Sequence, residues 1–357
     1  MKPRISDPRR GQQGFVLVVV LVLLVVLTLL AATIALSGTR AVESAQHEID
    51  LFQGELDMLS TRETVLFMYS TQHRNPAGLV VDQLPAYSVQ MFDDDADGKL
   101  MLPTGNELRL DSTPYGGLGE ARFALQDDRG LISLNWAMPF MRQAYYRHLG
   151  ARPEEMDGLD AKRLDYQDPD SLHRLNGAEK DHYAGTGLPP PTNRALTTPL
   201  EFRRILQWNT LLQDTSDADL LRSLSMTREA TLNPNTAPVE VLELLPGMNR
   251  AQAERMVALR RQTPFTTSYQ VEQAFPISSL LSDALIPFPN QAGNLILWDR
   301  RFGASRLTHW TLTPMEINGA PWRIDYEVIL PRDDRTGEVV VETPATPLFA
   351  SKDAAGE

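Results

Sequence analysis

The stretch FVLVVVLVLLVVLTLLAATIAL, residues Phe15 to Leu36, decides the architecture of this chain. It holds 22 residues and no charge. At about 1.5 Å per residue, a helix of that length crosses a hydrocarbon layer of roughly 30 Å. Because the run exceeds the roughly 7–15 apolar residues of a signal peptide, we expect residues 15–37 to span a membrane. Signal-peptide cleavage near Ala31-Ala32-Thr33 or Ser37-Gly38 stays open as the alternative.

A short basic leader precedes this run. Residues 1–14 carry four positive charges, on Lys2, Arg4, Arg9 and Arg10, against one negative charge on Asp7. Positive flanks stay on the cytoplasmic side of a bacterial inner membrane. We therefore expect a single-pass inner-membrane protein with a cytoplasmic leader and a periplasmic body.

Composition limits what the body does. The chain of 357 residues has a formal net charge of -12 and no cysteine. Its length leaves room for two domains. The acidic balance argues against a general nucleic-acid binder, which needs a basic face. The absence of cysteine excludes disulfides and thiolate metal sites.

The helix is predicted to continue beyond the membrane. Between Ala41 and Met68, apolar residues recur every three or four positions among glutamates, as in an amphipathic helix. No proline interrupts the chain from Gly11 to Pro76. We expect one long helix from Phe15 to about Gln72, although a bare anchor followed by a separate helix would give a similar pattern.

The remaining sequence predicts an α+β fold. Short runs at Arg122–Leu125 and Leu131–Leu134 suggest two strands joined by a turn. Helical patterns follow, and the strand-like runs that return are Leu295–Trp298, Trp310–Pro314, Trp322–Leu330 and Val339–Glu342. We expect a long helix on an antiparallel sheet with an all-helical insert. The predicted parts are a first sheet part at 38–140, the insert at 141–288, the final strands at 289–345 and a disordered tail at 346–357.

The junction of leader and helix, Arg10-Gly11-Gln12-Gln13-Gly14-Phe15-Val16-Leu17, resembles the processing site of type IV pilins and pseudopilins. That resemblance implies cleavage by a prepilin peptidase after Gly14 and N-methylation of Phe15. The fifth mature residue is then Val19, where most of these proteins have a glutamate that pairs with the neighbouring subunit's N-terminus. A subunit without that glutamate is expected to start the fibre. Alternatively, Val19 is simply a lipid-facing residue.

Three body motifs resemble one family more narrowly. They are Leu164-Asp165-Tyr166-Gln167-Asp168-Pro169-Asp170, Asn176-Gly177-Ala178-Glu179-Lys180-Asp181-His182-Tyr183 and Leu232-Asn233-Pro234-Asn235-Thr236-Ala237-Pro238. With the leader, they resemble the K-type minor pseudopilins of type II secretion systems, the GspK family. The resemblance implies a pilin-like fold, no enzymatic activity and a place at the tip of the pseudopilus, where it initiates assembly. The implied partners are the I- and J-type minor pseudopilins, then the H- and G-type pseudopilins.

Two acidic clusters are candidate calcium sites. Hard oxygen ligands suit Ca²⁺, and five carboxylates lie close together in the first cluster: Asp165, Asp168, Asp170, Glu179 and Asp181. The resemblance also points to calcium there. A weaker candidate has Asp93, Asp95 and Asp97 at the first, third and fifth positions of an EF-hand-like loop, without the closing glutamate. In both cases the alternative is a solvated acidic loop.

Two other functions fit parts of the sequence. Leu244 to Val257 has the form of a helix-hairpin-helix, with Asn249 in place of its second glycine. A membrane-tethered DNA receptor using Arg250 and Arg255 is one alternative, and a PilX-like type IV minor pilin is another. The six histidines are scattered and are expected at the surface. We predict no catalytic site and no bound nucleic acid.

Overall fold

The computed structural model describes residues 13–81, 102–299, 301, 304–316, 319–331, 340–341, 343–344 and 346–349. The chain divides into two units, with the boundary in the sequence between Leu56 and Asp57. The first unit is helical from Gln13 onward, as the start of helix α1 (Gln13–Thr71). Its apolar side chains are exposed, including Phe15 at 77% and Val19 at 47%. Within the described residues, Phe15–Thr71 is long and apolar enough to cross a membrane.

The second unit begins with the end of α1, which packs on a sheet. Val65, Leu66, Met68 and Tyr69 are buried there against apolar side chains of the strands. The ring of Tyr69 lies 4.1 Å from the ring of Trp310, centroid to centroid, and its hydroxyl donates to the Asn290 carbonyl at 3.0 Å. The prediction of one continuous helix is confirmed.

The main sheet has five antiparallel strands in simple sequence order. They are β4 (Asp111–Gly116), β5 (Ala121–Asp127), β6 (Ala292–Asp299), β7 (Ala304–Leu312) and β8 (Trp322–Pro331). A smaller three-stranded sheet contains β1 (Arg74–Asn75), β2 (Gly78–Val80) and β3 (Glu107–Leu108). β5 and β6 are far apart in sequence but pair along their whole length, from Ala121 with Asp299 to Asp127 with Gly293.

A helical insert lies between β5 and β6. Its α-helices are α2 (Pro139–His148), α3 (Met156–Gln167), α4 (Trp208–Leu211), α5 (Asp217–Ser223), α6 (Val239–Leu242), α7 (Arg250–Gln262) and α8 (Ser268–Ala274). The insert has a core of its own around Trp208, whose indole N–H donates to the Leu159 carbonyl at 3.0 Å. The α+β pilin-like fold class is confirmed, whereas the residue limits predicted for the domains stay predictions.

The second strand of the predicted first hairpin is wrong. After β5 the chain makes a 3₁₀ turn at Asp128–Gly130, and Leu131–Leu134 enters the core of the insert. There Ile132 forms an isolated parallel bridge with Leu224. The apolar residues of Leu131–Leu134 are buried because this segment connects the sheet to the insert. Their apolar pattern therefore comes from a buried connection and not from a strand. Val339 and Glu342 of the last predicted strand, and the tail beyond Phe349, lie outside the described residues.

Candidate functional site

The segment Leu232–Pro238 forms a tight turn within the insert, against the end of β5. The side-chain oxygen of Asn233 accepts from the backbone N–H of Asn235 at 2.9 Å. The backbone carbonyl of Asn233 accepts from the backbone N–H of Ala237 at 3.0 Å. Asparagine favours such turns because its side chain mimics the backbone. Asn233 and Asn235 are both buried. The motif therefore fixes a buried backbone turn.

Asp127, the last residue of β5, ties this turn to the sheet. Its buried carboxylate accepts from the side-chain amide of Asn233 at 3.0 Å, from the Thr236 hydroxyl at 2.8 Å and from the Asn290 backbone N–H at 2.8 Å. Burial raises the pKa of Asp127 to about 6, although these donors act in the opposite direction. The carboxylate is thus ionised at neutral pH and holds three chain segments together.

The contact between the turn Leu232–Pro238 and the end of β5 forms a junction between the insert and the sheet. Two further side chains stabilise the turn at this junction. The side-chain amide of Asn235 donates to the Phe265 backbone carbonyl at 2.8 Å and accepts from the Phe265 backbone N–H at 2.9 Å. The buried guanidinium of Arg260 donates to the carbonyls of Pro234 at 2.9 Å and Ala237 at 2.6 Å. Buried polar groups stabilise a structure only when they are paired. These pairs link the turn to α7 and to the chain that follows it.

His309 forms a second buried link. It lies in β7, only 4% exposed, with Nε2 at 2.9 Å from Asp128 Oδ2 and Nδ1 at 2.9 Å from Asp325 Oδ2. Ser225 of the insert also donates to Asp128 Oδ2, at 2.7 Å. The expectation that the histidines lie at the surface is wrong for His309, since its ring is buried between Asp128 and Asp325.

The contacts of His309 predict that the free energy of unfolding depends on pH. Burial disfavours the imidazolium, but Asp128 and Asp325 outweigh that cost and raise the pKa of His309 to about 9. An unfolded histidine has a pKa near 6.5. The folded state therefore holds the proton more tightly, and the resulting stabilisation is complete below about pH 6.5 and is lost as the pH rises to about 9.

We expect the free energy of unfolding to fall by roughly 3 kcal/mol between pH 6.5 and 9.5. Urea unfolding of the full chain at several pH values measures it. A His309→Gln variant should be less stable at pH 6.5 and should lose most of this slope. Equal slopes in the two proteins would contradict the assignment.

The first acidic cluster is only partly assembled. Asp165 is fully buried and lies with Asp168 around Arg174, whose Nη1 is 2.6 Å from Asp165 Oδ1 and 2.5 Å from Asp168 Oδ2. Gly177 permits this close packing, since a Cβ there would lie 1.8 Å from Asp165 Oδ2. Asp170 and Asp181 are exposed. In the part of the chain that the structure describes, no group of three or more Asp, Glu or His side chains is arranged to hold a metal ion.

The same cluster nevertheless has unused oxygens. Asp168 Oδ1 and Glu179 Oε1 are buried without a hydrogen-bond partner among the described residues. Burial, then the charges of Asp168 and Asp165, raise the pKa of Glu179. Orphaned oxygens of this kind fit a hard cation, so the calcium prediction stays a prediction. Asp93, Asp95 and Asp97 lie outside the described residues.

The hairpin between α6 and α7 does not present a phosphate site. Gly247 turns the chain at φ +87°, and a Cβ there would lie 2.3 Å from the Pro276 carbonyl oxygen. Asn249 caps α7 by accepting from the Gln252 amide at 3.0 Å. Arg250 faces Glu243 at 3.2 Å and Glu254 at 3.1 Å. Its charge is therefore met by carboxylates of the same hairpin, which disfavours the DNA receptor.

The processing residues lie at the start of α1. Gly14 and Phe15 are within the helix, and the exposed side chain of Val19 follows one turn later. Cleavage, methylation and the role of Val19 stay predictions. Asp127, Asp128, His309 and Arg260 were missed from the sequence as members of a site. The one signal in the sequence was the pair of adjacent carboxylates, Asp127 and Asp128, shortly after the strand-like run Arg122–Leu125.

Comparison with known proteins bears on the junction. The profile of the family described as Type II secretion system (T2SS), protein K, matches residues 232–285, which include the turn, the hairpin and α8. The prediction of a type II secretion system K-type minor pseudopilin is thereby confirmed, and with it the prediction of a structural component rather than an enzyme. No curated protein matches the sequence.

Among solved structures, the chain is similar to one in the crystal structure of the GspK-GspI-GspJ complex from the enterotoxigenic Escherichia coli type 2 secretion system. The two are 13% identical with a TM-score of 0.47, and the match covers 81% of this chain and 99% of that one.

Proposed function

We propose that this chain, a protein of the type II secretion system protein K family, starts the periplasmic pseudopilus and remains at its tip. The observation that carries the proposal is the family match at residues 232–285 in a chain that also has the pilin-type helix α1. The insert makes the body much larger than the helix and sheet alone. Its bulk would block further subunits from being added above.

Anchoring in the inner membrane is the first step of this proposal. The exposed apolar surface from Phe15 to Leu36 suits lipid or a bundle of similar helices. Val19 carries no charge, so the chain needs no earlier subunit to neutralise a buried carboxylate. A first subunit has no such neighbour. The basic leader favours an orientation with the body in the periplasm.

The proposed partners are other minor pseudopilins. On the grounds of family, the I- and J-type subunits would join this chain in the tip, and the H- and G-type pseudopilins would follow below. A prepilin peptidase would prepare the helix for assembly by removing residues 1–14. No nucleic acid has a place in this account.

Processing supplies the experiment for this proposal. Co-expressed with a prepilin peptidase, the chain should lose its first 14 residues and gain a methylated Phe15, because Gly14 precedes the apolar run. Gly14→Val should abolish cleavage, since a β-branched side chain at the cut would block the peptidase. Intact-mass spectrometry reads both events. Gly11→Val is the matched control and should be processed normally.

Cleavage at the periplasmic end of the apolar run, near Ala31 or Gly38, would overturn the proposal. That result would identify Phe15–Leu36 as part of a signal peptide and would leave the body without an anchor. Normal processing of Gly14→Val would also contradict it.

We further propose that Asp165, Asp168 and Glu179 rearrange to bind Ca²⁺ in the working protein. The support is the pair of buried oxygens without hydrogen bonds among the described residues, one on Asp168 and one on Glu179, together with the raised pKa of Glu179. Ca²⁺ would compete with Arg174 for Asp165 and Asp168. Calcium at ~100 times its dissociation constant should stabilise the folded chain by about 3 kcal/mol.

The test of the calcium proposal is thermal unfolding of the full chain in CaCl₂, MgCl₂ or EGTA. The increment should be specific to Ca²⁺ and should shrink in Asp168→Asn, whereas Asp157→Asn at an exposed position should keep it. Identical melting in CaCl₂ and EGTA would sink the idea.

A further inference from the structure

A cavity of about 620 Å³ lies between the sheet and the insert. Its wall on the sheet side comes from β4, β5, β6 and β7, with Ile296 and Trp298 as apolar surface. The insert contributes Val257 of α7 and the Pro238–Glu240 segment. Ligand sites of small molecules are typically clefts of about 300–1,000 Å³ with apolar walls and a few polar groups. The cavity has the size and composition of such a site.

Its charge is unusual for this acidic chain. Four arginines line it, namely Arg109, Arg222, Arg260 and Arg261, against two carboxylates, Asp111 and Glu240. One carboxylate is already shared, since Asp111 Oδ2 is 2.7 Å from Arg109 and 3.4 Å from Arg260. Glu240 lies 3.8 Å from Arg250 outside the cavity. The lining therefore has an excess of positive charge.

A buried donor in this lining has no acceptor. Arg260 is 3% exposed, and its Nε has no hydrogen-bond partner among the described residues. Nearly all buried donors in proteins are paired, so an orphaned one requires a reason. A guanidinium offers its donors as a planar fork that matches a carboxylate. Because Arg260 lines the cavity, a ligand bound there could supply the acceptor that this Nε lacks.

The part of the cavity wall formed by β4 holds a residue in an uncommon backbone conformation. Ser112 has φ +63°, and the register of β4 against β5 shifts between Asp111 and Pro114. A non-glycine residue in this conformation is uncommon, and β-bulges often re-aim side chains beside functional sites. Here the irregularity lies at the cavity wall. The hydroxyl of Ser112 donates to Gln126 Oε1 at 2.9 Å.

We propose that this cavity binds a carboxylate carried on an apolar body, such as the C-terminal residues of a peptide or a short fatty acid. The carboxylate binds at Arg260 and Arg261, and the apolar part lies on Ile296, Trp298 and Val257. The site is independent of the calcium cluster and of the leader. Nothing in the pseudopilus role itself requires it.

Binding to the full chain in nonionic detergent is measured by isothermal titration with matched probes. N-acetyl-Leu-Leu with a free carboxylate should bind at least about tenfold more tightly than its C-terminal amide, because the amide cannot accept a charge-assisted fork. Hexanoate is the second probe, and its binding relative to the peptide distinguishes a fatty acid from a peptide as the source. Inorganic phosphate should bind more weakly than the better of the two.

Arg261→Gln tests the site without disturbing the fold, since Arg261 is exposed at the rim. It should weaken the acid probe by about threefold to tenfold and leave the amide unchanged. Arg260→Lys should weaken it further if that variant folds. Arg255→Gln, on the same helix but outside the cavity lining, is the control and should bind like the wild type.

Three results would overturn the proposal: equal binding of acid and amide, no binding of either acid at millimolar concentration, or an unchanged affinity in Arg261→Gln. Phosphate binding as tight as that of the acids would show a plain anion site and would also contradict it.

Discussion

Replacing Asp127 with alanine is expected to destabilise the folded chain by about 4 kcal/mol, since each buried donor left without an acceptor costs roughly 1–3 kcal/mol. The substitution leaves the Asn233 amide, the Thr236 hydroxyl and the Asn290 N–H without their shared acceptor. Asn233 and Thr236 belong to the motif turn, and Asn290 lies two residues before β6. Water does not readily replace the lost acceptor for Asn233 and Thr236, because both are buried beside Asp127.

Urea unfolding of the full chain measures this loss. Thr236→Val removes one of the bonds and should cost about 1 kcal/mol, a typical value for a single buried hydrogen bond. Asp157→Ala, at an exposed position on α3, is the matched control and should change stability by less than about 0.5 kcal/mol. A similar small effect for Asp127→Ala would show that the junction is not held by this carboxylate.

The junction explains why the Asn-x-Asn-Thr-Ala segment has its residues. Asn233 and Thr236 bind Asp127, Asn235 binds Phe265, and the carbonyls of Pro234 and Ala237 receive Arg260. Each position of the motif therefore has a contact across the sheet–insert boundary or within the insert. The segment works as a fixed joint that positions the insert on the sheet.

Long local patterns were readable from the sequence. The uncharged run from Phe15 to Leu36 and the proline-free stretch after it predict α1, because helix formation depends on neighbouring residues. The order of strand-like and helical segments predicts an insert within a sheet. Only Leu131–Leu134 misled, since a buried connection and a buried strand have the same apolar pattern.

Contacts between distant residues were not readable. His309 meets Asp128, which lies 181 positions earlier, and Asp127 meets Asn233 across 106 positions. No periodic pattern connects such pairs. The acidic cluster was also predicted incompletely from the sequence, because its contacts depend on the fold. Spacing alone predicts five carboxylate ligands, whereas Arg174 lies between Asp165 and Asp168 and leaves Asp170 and Asp181 at the surface.

The second large effect is expected in assembly. A subunit that starts the pseudopilus should form a stable complex with I- and J-type minor pseudopilins before any other subunit is added. Because the insert is proposed to block further subunits, the complex should contain one copy of this chain. If calcium orders the acidic cluster, EGTA should weaken the complex, whereas MgCl₂ should not restore it.

The measurement that tests the central claim most directly is co-purification of the tagged full chain with I- and J-type pseudopilins after mild detergent extraction. The account predicts a 1:1:1 complex that survives size-exclusion chromatography. Recovery of the chain without either partner would contradict it. Salt-dependent DNA binding, lost in an Arg250→Gln and Arg255→Gln double variant, would in that case establish a DNA receptor instead.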